Sequence, residues 1–216
     1  MKYTYLLGGI HIASDIFFPE LIQADKPADV TVKYGEVPEH LDQNIVQFPF
    51  IEANETQYLL KLEKVGRILV ENGTSITFQK EEKAIAHDLE KYVFSNAFGA
   101  LSYQRNCIPM HGGVFVHEGK GILISGVSGN GKSTLLAALY AKGYQLLSDD
   151  ISNLEIIDGK LMAHPSFPAI LIWKDTAEEL KIDLSAVPKL RNDMEKYILP
   201  IHNQFVSSPV EIEKII

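Results

Sequence analysis

Residues 126–133 read Gly-Val-Ser-Gly-Asn-Gly-Lys-Ser, which satisfies the pattern G-x-x-x-x-G-K-[ST] at every position. No other run in the 216-residue chain constrains the fold as much, because this pattern works only between a strand and a helix. Ile122, Leu123 and Ile124 supply the strand that runs into it, and Leu135, Leu136 and Leu139 the apolar face of the helix that leaves it. Glycines let the backbone turn tightly, so that successive N–H groups converge on phosphate oxygens, and the start of the helix adds its positive dipole end. Gly126, Ser128, Gly129, Asn130, Gly131, Lys132, Ser133 and Thr134 are therefore the candidate nucleotide contacts. Lys132 carries the mobile charge for the β- and γ-phosphates, and the Ser133 hydroxyl is a ligand for Mg²⁺.

Such a loop needs a second acidic anchor for the metal at the end of a nearby strand. The run Tyr144-Gln145-Leu146-Leu147-Ser148 reads as a strand directly after the loop's helix, and it ends in Asp149-Asp150. Neighbouring strand residues point to opposite sides, so one carboxylate can face the metal and the other the substrate. His111 lies in Met110-His111-Gly112-Gly113, and on spacing alone a histidine before two glycines is a structural turn residue. The other six histidines show no metal-ligand spacing. Cys107 reads as a small buried hydrophobe and Trp173 as core.

The charge balance narrows the class. Twenty Lys and Arg against 28 Asp and Glu leave a net charge of −8, which argues against a nucleic-acid partner. No apolar run reaches the ~18 residues of a membrane span, and Met1 to Asp15 reads as a strand rather than a signal peptide. One cysteine excludes a disulfide framework, and these features together point to a cytoplasmic protein.

Two domains are expected. Residues 1–82 are β-rich, with strands over Lys2–Leu7, Val30–Tyr34, Tyr58–Leu62 and Arg67–Val70, and an Asn72-Gly73 hairpin turn before Ile76–Phe78. Residues 83–216 begin with one helix over Lys83–Arg105, whose stripe is Ile85, Leu89, Tyr92, Val93, Ala97 and Leu101. Strands follow over Cys107–His117 (broken at Gly112-Gly113), Gly121–Ser125, Tyr144–Leu147, Ile151–Ile157, Ala169–Trp173, Tyr197–Leu199 and Val210–Ile216. Short helices are expected over Lys132–Ala141 and Thr176–Leu180. The fold class is α/β.

Met110-His111-Gly112, the glycine loop and Asp149-Asp150, in this order and spacing, resemble the HPr kinase/phosphorylase family. The match is good over residues 107–152. It is similar above all to the shorter members found in bacterial peptide-modification operons, some of which phosphorylate a serine of a ribosomal precursor peptide, lasso-peptide precursors included. Ile12-Ala13-Ser14-Asp15, Pro19-Glu20-Leu21, Ala28-Asp29-Val30 and His164-Pro165-Ser166-Phe167-Pro168 carry weaker likeness to that subgroup. The resemblance implies a kinase domain of HPr-kinase/PEP-carboxykinase type behind a smaller β-rich N-terminal domain. It implies ATP and Mg²⁺ as cofactors, a peptide or protein with an acceptor serine as partner, and a homo-oligomer. By chain order it makes Asp149 the base that takes the serine proton, Asp150 a magnesium ligand, and His111 a neighbour that tunes Asp149.

The chain departs from the family in lacking a later glycine-rich signature, which argues against phosphorylase activity and against HPr as the substrate. It also stops at Glu213-Lys214-Ile215-Ile216 inside a strand-like pattern, as if a C-terminal segment of the family were missing. In the loop Ala163–Pro168, Phe167 either lines the acceptor groove or fills a satellite core. Rival readings are weaker. A transporter ATPase needs a signature motif that is absent, and small-metabolite kinases use several lid arginines where only Arg191 follows Gly126 here. A nucleotide-gated binding module, or an ATPase without a phospho-acceptor, stays open as the alternative.

Overall fold

In a computed structural model of the chain, which describes residues 1–43, 45–82, 89–127, 129–192 and 194–216, the backbone forms two compact units. One comprises Met1–Leu6, Ile10–Pro19 and Gln23–Cys107; the other comprises Leu7–Gly9, Glu20–Ile22 and Ile108–Ile216. No helix among the described residues is long and apolar enough to cross a membrane.

The first unit is built on strands β1 (Tyr3–Leu7), β2 (Ile10–Ser14), β3 (Ile22–Gln23), β4 (Val30–Tyr34), β5 (Val46–Phe48), β6 (Ile51–Ala53), β7 (Gln57–Leu62), β8 (Gly66–Glu71) and β9 (Ser75–Lys80). They pair in the order β3-β1-β2-β4-β9-β8-β7-β6-β5. The β8–β9 hairpin forms where Asn-Gly predicts it: Asn72 and Gly73 both take the left-handed conformation, at φ 54° and 64°, which matches the twist of the flanking strands.

The helix expected over Lys83–Arg105 is resolved differently. Lys83–Asp88, Ile85 among them, lie outside the described residues. Lys91–Phe94 form a 3₁₀ turn, Ser95 leaves the helical region at φ −134° and ψ −102°, and α1 (Asn96–Gln104) follows. The stripe still does its job, since Leu89, Val93, Ala97 and Leu101 are fully buried. Polar contacts hold this helix to the first unit. Gln104 donates to the Val70 carbonyl at 3.2 Å and accepts from the Gly73 N–H at 2.8 Å, while Arg105 donates to the Gly73 carbonyl at 2.9 Å. By compactness, α1 and the residues up to Cys107 group with the first unit.

The second unit contains β10 (Ile108–His117), β11 (Lys120–Ser125), α2 (Lys132–Ala141), β12 (Gln145–Ser148), β13 (Ile151–Ile157), β14 (Lys160–His164), β15 (Ala169–Trp173), α3 (Lys174–Glu179), β16 (Lys196–Pro200) and β17 (Val210–Ile215). The glycine pair does not break β10; it marks a change of partners. Ile108–His111 pair with β13, Gly112–His117 with β11, and Val114–Val116 with β12. A Cβ on Gly112 would lie 2.2 Å from the Ile124 carbonyl oxygen, so only bare backbone lets β11 come this close. β17 runs parallel to β11 and antiparallel to β14, which closes the circuit β10-β11-β17-β14-β13.

Successive strand residues divide between two cores, as a period of two requires. Val114, Leu123 and Leu147 join Leu154, Ala163 and Val210 in one cluster. Their neighbours Phe115, Ile124 and Leu146 join Leu136 and Ala137 of α2, Ile170 and Ile172 of β15 and Leu199 of β16 in the other. Leu136 and Leu139 of the expected helix face pack here, whereas Leu135 is 47% exposed. Phe167 is 3% exposed, which decides for the core over the groove. The architecture is a sheet-rich α/β fold in which the second cluster pins α2 and the β15–β16 ribbon to the same sheet.

Candidate functional site

The glycine loop leaves β11 at Ser125 and delivers Gly131 as the N-cap of α2. Gly131 has φ 79°, a left-handed conformation that costs a side-chain-bearing residue and costs glycine little. A Cβ there would meet nothing within 4 Å, so the backbone angle rather than crowding calls for glycine. Ser128 lies outside the described residues. Lys132 folds back over the loop, donating to the carbonyls of Gly126 at 2.8 Å and Val127 at 3.1 Å.

Asp149 and Asp150 follow β12 and take different surroundings. Asp149 is 2% exposed. Its Oδ1 accepts a hydrogen bond from the Ser133 hydroxyl at 3.2 Å, and its Oδ2 accepts one from the Leu171 N–H of β15 at 2.8 Å. Burial pushes its carboxyl group up to about 6, helped by the Asp150 charge and opposed by the Leu171 N–H and the Lys196 charge. Asp150 sits at φ 60° at the apex of a tight turn in which the Ile151 N–H bonds the Asp149 carbonyl at 2.7 Å. This turn lets two adjacent carboxylates diverge where a regular strand would simply end. The Asp150 side chain is half-buried, with Oδ1 3.8 Å from the Lys196 ammonium.

Among the described residues, no hydrogen bond joins His111 to the Asp149 carboxylate, whose partners are Ser133 and Leu171. The His111 Nδ1 lies 3.1 Å from the backbone carbonyl of Asp150, its side chain is exposed, and the Gly112 N–H bonds that same carbonyl at 2.9 Å. His111 therefore braces the turn that carries Asp150.

These groups line one cleft of about 390 Å³. Gly129, Gly131, Lys132, Ser133 and Thr134 form one side, and His111, Gly112, Gly113, Asp149 and Asp150 the floor. Trp173, Asp175, Thr176 and Lys196 close it from β15, α3 and β16. Sequence reading missed these last four. Trp173, expected in the core, is 45% exposed at the rim. Thr134 and Thr176 hydroxyls meet at 3.1 Å and link α2 to α3. The apolar run Ala169–Ile172 followed by a polar helix start was the one local hint that this strand end faces a site.

The chemistry of the donors suits Mg²⁺. A hydroxyl and a carboxylate, both hard oxygen ligands, already touch, and Mg²⁺ needs only one or two protein oxygens when phosphates and water supply the rest. No group of three His, Cys, Asp or Glu side chains arranged to hold a metal alone occurs among the described residues. A carboxyl group shifted upward by burial is also one that regains its charge when a cation arrives beside it.

No family model and no curated protein matches the sequence. Solved structures do match, among them the HPr(Ser) kinase/phosphatase from Coxiella burnetii. The identity to it is 22%, the TM-score 0.35, and the match covers 50% of this chain and 62% of that one. The chain thus spans less than two thirds of the length of that protein.

Proposed function

We propose that the chain transfers the γ-phosphoryl group of ATP to a serine hydroxyl of a peptide or protein, with Mg²⁺ as cofactor. The observation that carries this reading is the pair of diverging carboxylates behind the glycine loop: Asp149 on the Ser133 hydroxyl, and Asp150 turned into the open cleft. When bound, Mg²⁺ supplies positive charge to the β- and γ-phosphate oxygens. The residues of the chain do the rest. Backbone N–H groups of the loop and the α2 N-terminus cradle the phosphates. Lys132 exchanges the Gly126 and Val127 carbonyls for phosphate oxygens. Ser133 and Asp149 hold the metal side. Asp150 accepts the serine proton as the serine Oγ–P bond forms and the β–γ bridging P–O bond breaks, its electron pair going to ADP.

This assignment exchanges the roles of Asp149 and Asp150 expected from chain order. The reason is contact: Asp149 is buried and bonded through one oxygen to the Ser133 hydroxyl and through the other to the Leu171 N–H, which places it on the metal side, whereas Asp150 stands at the apex of its turn and lines the open cleft. His111 keeps a supporting role through the Asp150 carbonyl. The test is incubation of the full chain with Mg·ATP labelled on the γ-phosphate and a library of serine-containing peptides. Label on phosphoserine supports the reading. Label appearing only as free phosphate points to an ATPase, and nucleotide binding without turnover points to a gated binding module.

A further inference from the structure

Phosphoryl transfer places charge on the equatorial oxygens of the moving group, and enzymes of this kind commonly add a cation beyond the loop lysine and the metal, usually an arginine. Arg191 is the one arginine after Gly126, and it is not among the residues lining the cleft. Among the described residues that line it, two carry ammonium groups, Lys132 and Lys196. Resting on the phosphoryl-transfer reading above, we infer that Lys196 is the second cation, which binds the γ-phosphoryl group from the side of the cleft formed by the β15–β16 ribbon.

Three observations support this. Lys196 begins β16 directly opposite Trp173 in the β15–β16 register, so its backbone is fixed to the strand that also supplies Leu171 to Asp149. Its side chain is only 15% exposed, an expensive place for an ammonium. Among the described residues its ammonium contacts are long: 3.8 Å to Asp150 Oδ1 and 5.8 Å to the centre of the Trp173 ring. Both lie beyond hydrogen-bonding distance, so neither uses its N–H donors. A lysine serving only as counter-ion to Asp150 has every reason to close that gap; one held back over an aromatic face keeps its donors for a ligand. During transfer the serine proton goes to Asp150.

The inference is specific to the third phosphate and is tested by binding. Full-length wild type, Lys196→Met, Lys196→Gln and Lys196→Arg are titrated calorimetrically with Mg·ADP and with the Mg complex of a non-hydrolysable imido analogue of ATP. Both neutral variants are expected to lose about tenfold or more in affinity for the triphosphate while holding Mg·ADP within about twofold, and Lys196→Arg to keep most of the difference. With ADP and aluminium fluoride in place of the analogue, the loss should grow to about 100-fold. Equal loss for both nucleotides, or no loss, overturns the role of Lys196. If wild type binds neither nucleotide, the phosphoryl-transfer reading fails and this inference fails with it. A variant that does not fold is recognised by its melting curve, and the remaining neutral variant then decides.

Discussion

Glu52 and Asp149 are both carboxylates sealed from solvent, one in each unit, and their surroundings push them in opposite directions. Glu52 on β6 accepts from Lys61 at 2.5 Å and from the Leu41 N–H at 2.7 Å, and lies 2.7 Å from His40 Nδ1. The Lys61 hydrogen bond above all, then the Leu41 N–H, hold its carboxyl group down at about 2. Among the described residues Asp149 has no cation in contact, and it has a second carboxylate as its neighbour in sequence; it is raised to about 6. The first unit spends donors to keep a buried charge in place. The second leaves a buried acid short of positive charge beside the glycine loop. A satisfied carboxylate is a structural element, whereas an undersatisfied one in a cleft is poised for a cation.

The largest effects should separate the two sites by activity. Lys132→Ala should lower phosphoryl transfer about 1,000-fold, read by release of γ-label, while Glu52→Gln leaves the rate within about twofold. Inactivation by Glu52→Gln in a protein with a normal melting curve breaks the contrast. Next, Asp149→Asn and Asp150→Asn should each cost about 100-fold in transfer, but differently. Asp149→Asn should raise the Mg²⁺ concentration for half-maximal rate by about tenfold, and Asp150→Asn should leave it unchanged. The opposite pattern of Mg²⁺ dependence restores the order of roles that chain order suggests.

Stability should sharpen the same contrast, with opposite signs. A carboxyl raised from 3.8 to about 6 binds its proton more tightly in the folded state. Asp149 thus costs stability above pH 6, and the cost is relieved as pH falls from 6 towards 4. In metal-free protein, Asp149→Asn should therefore stabilise the second unit at pH 7.5, and the gain should vanish near pH 4. Glu52 runs the other way. Lowered from 4.5 to about 2, it contributes stability above pH 4.5 that is lost as pH falls towards 2. Glu52→Ala should lower the melting temperature at pH 7 by several degrees, with a smaller effect near pH 2. Thermal melts of both variants across pH 2–8 check the two signs together.

The smallest effect belongs to His111. It is exposed and touches Asp150 only through the backbone carbonyl, so His111→Ala should lower transfer about threefold. Its pH–rate profile should keep the wild-type shape. A displaced profile restores a direct electrostatic link from His111 to the carboxylates.

Much of this was legible locally. The glycine loop, its strand and its helix are neighbours in the chain, so residues 122–141 declare themselves through spacing alone. The Asn72-Gly73 turn is legible for the same reason, since a left-handed pair is decided by two residues. The unbroken course of β10 was not, because what Gly112 allows is the approach of Ile124, twelve positions away and on another strand.

The sequence by itself determined that a glycine-rich loop stands between a strand and a helix, followed by a strand that ends in two acids, because each of these is written in contiguous residues. Tertiary structure decided the rest. Which aspartate meets Ser133 depends on a turn at Asp150 and on the Leu171 N–H arriving from β15. That Trp173 lies at a rim rather than in a core, and that Lys196 lies across from it, depends on the register of β15 with β16. That α1 belongs with the first unit depends on which sheet offers Gln104 and Arg105 partners. In each case the deciding partner is distant along the chain, and side-chain spacing carries no information about a neighbour that only folding brings near.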